Sequence, residues 1–72
     1  MENFIKVHGY NGKVFMVNLT SIAIVTPAED GCILTMKEVD KNGISIEIHD
    51  MIRGIVTYHE LLVDDADQSH FR

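Results

Sequence analysis

Apolar and polar residues alternate along most of this chain, and the alternation predicts β-strands up to about residue 48, followed by a helix. Three isoleucines at every second position, Ile44, Ile46 and Ile48, predict a strand with one buried face. The apolar period then becomes helical at Asp50, a good N-cap because its carboxylate can accept hydrogen bonds from early helical N–H groups. The pattern therefore predicts a strand that leads directly into an amphipathic helix lying across a small sheet.

An opening hairpin is predicted by two apolar runs on either side of Asn11 and Gly12. This dipeptide favours a two-residue type I′ turn, because both central residues of that turn need positive φ. Such a turn places Tyr10 opposite Lys13, with both faces of the hairpin apolar. One face then carries Ile5, Val7, Val14 and Met16, and the other carries Phe4, His8, Tyr10, Phe15 and Val17. One helix cannot cover both faces.

The middle of the chain predicts two further strands. Residues 19–26 form an apolar run that stops at Pro27, which cannot donate to a sheet ladder, so this strand ends there or is an edge. Residues 28–31 predict a turn with Gly31 at its positive-φ position. Residues 32–39 predict the next strand, in which Cys32 is in phase with Leu34 and is expected to be a small buried hydrophobe.

The loop between this strand and the isoleucine strand has two possible lengths. A three-residue loop ending at a left-handed Gly43 places Lys37 opposite Glu47. The same register places Met36 opposite Ile48. A two-residue loop instead sets Glu38 against Glu47, and opposed like charges destabilise a strand pair. The three-residue loop is therefore favoured.

The predicted helix has one apolar stripe, and the chain after it is polar. The stripe comprises Met51, Ile52, Ile55, His59, Leu62 and Val63. Leu61 lies off this stripe and indicates a second contact. Residues 64–72 are acidic and polar, which predicts a flexible tail after a single domain of residues 1–63. The expected fold is α+β, a small antiparallel β-meander of about five strands with one C-terminal helix packed on it.

Length, charge and cysteine content narrow the classes of protein to consider. A chain of 72 residues buries only about 60% of its unfolded surface and usually needs staples or a partner. Cys32 is the only cysteine, so no disulfide can form within one chain, and association into a homo-oligomer is the favoured source of extra stability. A single unpaired cysteine also fits a reducing compartment such as the cytoplasm. The net charge of −5 opposes binding to nucleic acid and to anionic membranes. The first residues lack the pattern of a signal peptide.

Few residues in the chain indicate catalysis or the binding of a metal ion. Four histidines, together with Cys32, offer possible metal ligands, but their spacings match no ligand pair of structural zinc, so ordinary histidines are favoured. These histidines are His8, His49, His59 and His70. The acidic run after residue 63 lacks the glycine and distal glutamate of a calcium loop. With no phosphate-binding loop, nucleophile elbow or metalloprotease motif, we expect neither an enzyme nor a cofactor.

The sequence resembles a group of very short bacterial proteins, the FlbD-like proteins of flagellar operons and their relatives. The shared features lie between Phe4 and Leu62. They are Ile5, Lys6 and Val7; Asn11, Gly12 and Lys13; the run of residues 15–18; the spacing of Ile22, Val25 and Pro27; Gly31 before a strand; and a last strand that runs into a helix. The resemblance implies a small sheet with a C-terminal helix and an accessory role. It implies no catalytic residue.

Three functions from different classes remain open. The favoured one is a non-enzymatic interaction or structural protein that associates with itself or another protein through surplus apolar residues. The residues expected at that surface are Phe4, Tyr10, Phe15, Val17 and Leu61. The alternative is a regulatory nucleic-acid-binding module that uses Lys6, Lys13, Tyr10 and His8 of the first hairpin. The third is a small-molecule or metal-binding protein built from the histidines.

Overall fold

A computed structural model describes the backbone of residues 3–70 and the side chains of residues 3–63. Five antiparallel strands precede one C-terminal helix, so the predicted α+β class is confirmed. The elements are β1 (Phe4–His8), β2 (Val14–Asn18), β3 (Ile22–Pro27), β4 (Cys32–Val39), β5 (Ser45–Asp50) and α1 (Ile55–His70). β1 and β2 form one sheet, and β3, β4 and β5 form a second sheet in that order.

The first hairpin has the predicted turn but a different register. Asn11 has φ 58° and ψ 33°, and Gly12 has φ 74°, so both central residues are left-handed, as a type I′ turn requires. The Lys13 N–H donates to the Tyr10 carbonyl (3.1 Å), while the Lys13 carbonyl accepts from the Gly9 N–H (2.9 Å). Gly9 and Tyr10 therefore both oppose Lys13. This is a β-bulge, and it shifts every pair beyond the turn by one residue.

The one-residue shift exchanges the faces of β2 relative to the prediction. Val7 pairs with Phe15, and Ile5 pairs with Val17, so these four residues share the inward face. Val14 and Met16 are on the outward face instead, beside Lys6 and His8. The predicted division of β2 between the two faces was wrong, because a slip of one residue turns each side chain to the other side of a sheet.

β3 is an edge strand that ends at Pro27, as its sequence predicts. The strand begins at Ile22 rather than at residue 19, because Leu19–Ser21 form a single 3₁₀ turn. The Asn18 side chain accepts a hydrogen bond from the Thr20 N–H (3.0 Å) and starts that turn. Gly31 ends the following turn with φ 76°, in the predicted positive-φ position.

The second hairpin has the predicted three-residue loop. Asp40 and Ile44 flank it, the Asp40 N–H donates to the Ile44 carbonyl (2.9 Å), and Gly43 has φ 79°. Between the pair Val39–Ser45 and the pair Thr35–Glu47, β4 contains three residues but β5 contains only one. The predicted partners of Met36 and Lys37 were therefore wrong by two residues. An even shift keeps each side chain on its face.

The core lies between the two sheets and the helix. Because the shift in β4 is even, Cys32, Leu34 and Met36 all remain buried, in agreement with the predicted alternation. The eight buried apolar residues are Val7, Val17, Leu19, Ile22, Cys32, Leu34, Met36 and Tyr58. On β5, Ile48 packs against this cluster, whereas Ile46 is partly exposed and Ile44 lies exposed before the strand. The predicted isoleucine face is thus buried only near the end of β5.

The helix begins at Ile55, five residues after the predicted N-cap. Asp50 is the last residue of β5, and its Oδ1 accepts from the N–H groups of Ile52 (2.9 Å) and Arg53 (3.0 Å). These are the bonds an N-cap makes, but the chain turns again before it becomes helical. The buried stripe consists of Tyr58, Leu61 and Leu62, so the stripe predicted through Met51, Ile52, Ile55 and His59 was wrong. The sequence predicts a tail over residues 64–72, but α1 continues through His70, so the backbone of residues 64–70 is helical, and residues 71 and 72 lie outside the described part of the chain.

Two hydrogen bonds join the first hairpin to the segment that follows β5. The Met51 N–H donates to the His8 carbonyl (2.9 Å), and Arg53 Nη1 donates to the Lys6 carbonyl (2.7 Å). Both acceptors are in β1, so that strand has β2 on one side and β5 near its other side. The hairpin is therefore fixed at one corner of the larger sheet, and it forms one wall of each of two clefts.

Candidate interaction surface

The five residues predicted to contact a partner do not lie together. Phe4, Tyr10 and Phe15 are exposed to 48%, 57% and 37%. Val17 is only 3% exposed and belongs to the core, because the bulge at Gly9 and Tyr10 turns it inward. Leu61 is partly buried and packs against the core, so it supports the sheet. The expectation that Val17 is a surface contact was therefore wrong.

Tyr10 and Phe15 line a cleft of about 450 Å³ between the hairpin tip and the edge of β5. The other lining residues are Gly9, Asn11, Lys13, Ile33, Glu47, Ile48 and His49. The bulge creates this arrangement, because it places Tyr10 beyond the regular ladder of β1 and against β5. The cleft is open on one side, so both aromatic rings remain accessible from solvent.

The side chain of Tyr10 is held by His49 on β5. The two rings meet edge to face, with their centroids 4.7 Å apart and an angle of 83° between their planes. His49 is held in turn by a short contact of 2.6 Å between its Nε2 and the Asp30 carbonyl oxygen. The exposed ring of Tyr10 is thus fixed in position before any partner arrives, which lowers the entropy lost on binding.

Phe4 lies at a second, smaller groove of about 320 Å³ at the other end of the hairpin. Met16 and Ile46 also line it, and both are substantially exposed. The sequence predicts Met16 on the same face as Val7, whereas the one-residue bulge places it on the opposite face, where it is exposed. We define the hairpin surface as Phe4, Tyr10, Phe15 and Met16. Phe4 and Met16 are on the outward face of the hairpin, whereas Tyr10 and Phe15 line the cleft toward β5.

A buried polar cluster fixes the corner that supports this surface. Asp50 is fully buried, and its Oδ2 accepts from the Tyr58 hydroxyl (2.6 Å) and from Arg53 Nη1 (3.3 Å). Burial alone would raise the pKa of Asp50, but hydrogen bonds from Tyr58, from two backbone N–H groups and from Arg53 outweigh it, so the pKa lies below its usual value. The same burial and the same carboxylate raise the pKa of Tyr58.

Cys32 lies opposite Asp50 in the β4–β5 ladder and is fully buried. Burial raises the pKa of its thiol, and the nearby Asp50 charge raises it further. A thiol in this state is a poor nucleophile, because the thiolate is the reactive form. Asp50 and Tyr58 thus join the end of β5 to α1, and the Cys32 thiol lies beside the same carboxylate.

Tyr58→Phe is expected to lower the free energy of unfolding by about 1.5–3 kcal/mol, the usual value of a hydrogen bond to a charged group. The substitution keeps the buried ring but leaves Asp50 Oδ2 with Arg53 alone among its described partners. Urea unfolding followed by circular dichroism measures the change. Tyr10→Phe is the matched control, since its ring is mostly exposed. An equal loss in both variants would show that the Tyr58 hydroxyl contributes little.

Comparison with known proteins adds no relative. No family model, no curated protein and no solved structure matches the chain. The similarity to FlbD-like proteins therefore stays a prediction from sequence. Within residues 3–70, no helix is long and apolar enough to cross a membrane. Among the side chains that the structure describes, no three of His, Cys, Asp and Glu are grouped closely enough to hold a metal ion.

Proposed function

We propose that this protein is a non-enzymatic interaction module that associates with itself or with another protein through the hairpin surface. The single observation that carries the proposal is the exposure of Phe4, Tyr10, Phe15 and Met16 in a lone copy. Single exposed apolar residues are common, but apolar side chains grouped around grooves usually mark a contact surface. Here the four residues line two grooves on one hairpin.

The residue types of the hairpin surface also support association. Aromatic residues and methionine are enriched at protein–protein interfaces. The hairpin surface consists of three aromatic residues and one methionine.

The distribution of charge over the sequence favours the same surface. Residues 3–28 contain Lys6 and Lys13 but no aspartate or glutamate, so the excess of acidic residues lies in the rest of the chain. Two copies with a net charge of −5 repel each other in general, yet their first hairpins carry none of that negative charge. A contact through the hairpin therefore avoids the repulsion between acidic side chains.

The proposal predicts that the apparent mass of the wild-type chain, measured by light scattering, rises with concentration, or that the chain binds an apolar dye while folded. The double variant Phe4→Ser, Tyr10→Ser is expected to reduce both signals, because it removes two of the four apolar side chains from the hairpin surface. Ile24→Ser is the control, since Ile24 is exposed to 57% but belongs to a different strand. A wild-type chain that remains monomeric at high concentration and binds no dye would contradict the proposal.

A further inference from the structure

The outer edge of β2 is a strand edge with free hydrogen-bonding groups. The hairpin ladder is bounded by the bond from Gly9 N–H to the Lys13 carbonyl and the bond from Leu19 N–H to the Asn3 carbonyl, each 2.9 Å. Bonded pairs alternate with unbonded pairs in an antiparallel ladder, so Phe15 and Val17 bond to β1. The N–H and C=O groups of Val14 and Met16 therefore point away from β1, toward the free edge.

The other strand edges of the described chain are protected. β3 has a bulge between Ile22 and Ile24 and ends in Pro27, and both features discourage edge pairing. β5 is approached by the first hairpin, since the Met51 N–H that follows the strand donates to β1. It also carries Glu47, whose charge opposes the approach of a second acidic chain. β2 (Val14–Asn18) has no proline and no charged residue. The bulge of the first hairpin is formed by Gly9 and Tyr10, which follow β1, so it does not distort the outer edge of β2.

We infer that two copies of this chain associate by antiparallel pairing of their β2 edges, which joins the two hairpins into one four-stranded sheet. The inference rests on the proposed function and names the partner and the strand that it uses. In the symmetric register Met16 lies opposite Met16 of the partner subunit, and Val14 lies opposite the partner subunit's Asn18. The outward N–H and C=O groups of Val14 and Met16 then become bonded on both copies.

A second copy fits this edge better than a partner of another kind. A two-fold axis brings identical strands together antiparallel, so the free groups of one β2 complement those of the other. On the outward face of β2, Met16, exposed to 60%, and the half-exposed Val14 would both lie at the contact between the two β2 strands. Neither strand brings a charge to the axis, so the net charge of −5 per chain raises no barrier there.

The test compares Met16→Lys with Ile52→Lys. Both substitutions replace an exposed apolar residue with the same charge, but Ile52, 69% exposed, lies in the turn before α1. Light scattering over a concentration series is expected to give about 16 kDa for the wild type and for Ile52→Lys, twice the mass of one chain. Met16→Lys is expected to raise the dimer dissociation constant by more than about tenfold, because it opposes two like charges across the axis.

Met16→Pro provides a second variant that acts through the backbone. It removes the outward N–H of Met16 without removing a bond to β1, so the hairpin keeps its ladder while the dimer loses two central hydrogen bonds. Met16→Cys adds a third measurement, since Cys32 is buried and the new thiol is accessible. A short bis-maleimide is expected to link Met16→Cys chains and to leave Ile52→Cys chains unlinked.

Each outcome either supports or overturns the pairing of two β2 edges. A wild-type dimer that dissociates in both Met16→Lys and Met16→Pro, with Ile52→Lys intact, supports it. A dimer that survives both Met16 variants overturns edge pairing but leaves self-association through the rest of the hairpin surface in place. A wild-type chain that stays at 8.1 kDa up to about 1 mM also overturns it, since no second copy then occupies the edge. Dye binding by that monomer would still support the proposed function.

Discussion

Gly31→Ala is expected to prevent stable folding of the protein. A Cβ atom placed on Gly31 would lie 1.8 Å from the carbonyl oxygen of Asp50, and 2.8 Å from its carbonyl carbon. Both are backbone atoms at the end of β5, so they cannot move away as a flexible side chain would. The residue also has φ 76°, which costs a non-glycine residue about 1–2 kcal/mol before any collision. We expect a total loss of at least about 3 kcal/mol, most of the margin of a chain this small.

Gly43→Ala separates the collision from the backbone strain. Gly43 has φ 79°, almost the same as Gly31, but no described atom outside its neighbours lies within 4 Å of a Cβ placed there. It is therefore expected to lose only the strain of about 1–2 kcal/mol and to unfold cooperatively at a lower urea concentration. Equal urea midpoints for the two variants would mean that the β3–β4 turn moves away from Asp50 at little cost.

Asp50→Ala is the second substitution with a large expected effect. Asp50 accepts hydrogen bonds from two backbone N–H groups, from the Tyr58 hydroxyl and from Arg53. Removal of the carboxylate leaves the buried Tyr58 hydroxyl and the two part-buried backbone N–H groups without their acceptor. Each unsatisfied buried donor costs about 1–3 kcal/mol, so we expect a loss of about 3–5 kcal/mol. Urea unfolding at neutral pH measures the loss. Asp30→Ala is the control, because Asp30 is exposed and its carbonyl contact with His49 does not depend on its side chain.

The effect of Asp50→Ala is expected to depend on pH. The pKa of Asp50 is lower in the folded chain than its usual value of 3.8, so the folded state binds fewer protons than the unfolded state in this range. The contribution of Asp50 to stability is therefore complete above about pH 4 and is lost as the pH falls through the folded-state pKa. The difference in stability between wild type and Asp50→Ala should shrink below pH 4. A difference that stays constant would show that the charge of Asp50 is not what stabilises the corner.

The two hairpins show why the sequence predicts turns better than faces. Positive φ at Asn11, Gly12 and Gly43 follows from residue types that tolerate it, and all three are found. Both hairpins also contain an irregularity that no turn signal announces. In the second hairpin the shift is of two residues, so Leu34 and Met36 stay buried as predicted. In the first hairpin the shift is of one, and Val17 is buried instead of exposed.

The start of the helix could not be predicted because its local signal is ambiguous. Asp50 makes the two N–H bonds typical of an N-cap, yet β5 continues through it, and the helix starts only at Ile55. The later start places Tyr58, Leu61 and Leu62 on the buried stripe, at the helical spacing i, i+3 and i+4. The tertiary contact between Tyr58 and Asp50 decides this. It joins residues eight positions apart, so no local pattern shows it.

Of the candidate surface, the sequence could predict Phe4, Tyr10 and Phe15 but not Met16. An excess of apolar residues over what one helix can cover is a property of composition and alternation, and it does not depend on register. The identity of the exposed residues on β2 does depend on register, and therefore on the bulge at Gly9 and Tyr10. The free edge of β2 also depends on which strands become neighbours, which is a tertiary property.

The bulge at Gly9 has a consequence for how this chain tolerates changes in length. Deletion of Gly9 would restore a regular two-residue hairpin, because Tyr10 would then face Lys13 alone. His8 would still pair with Val14, so the ladder of β1 and β2 would keep its pairs and its faces, and only the placement of Tyr10 beyond the ladder would change. Deletion of a residue inside β2, such as Met16, would instead shift the pairs beyond it by one and turn Val17 into water. Deletions in homologous sequences are therefore expected at Gly9 rather than within the two strands, even though much of β2 lies at the surface.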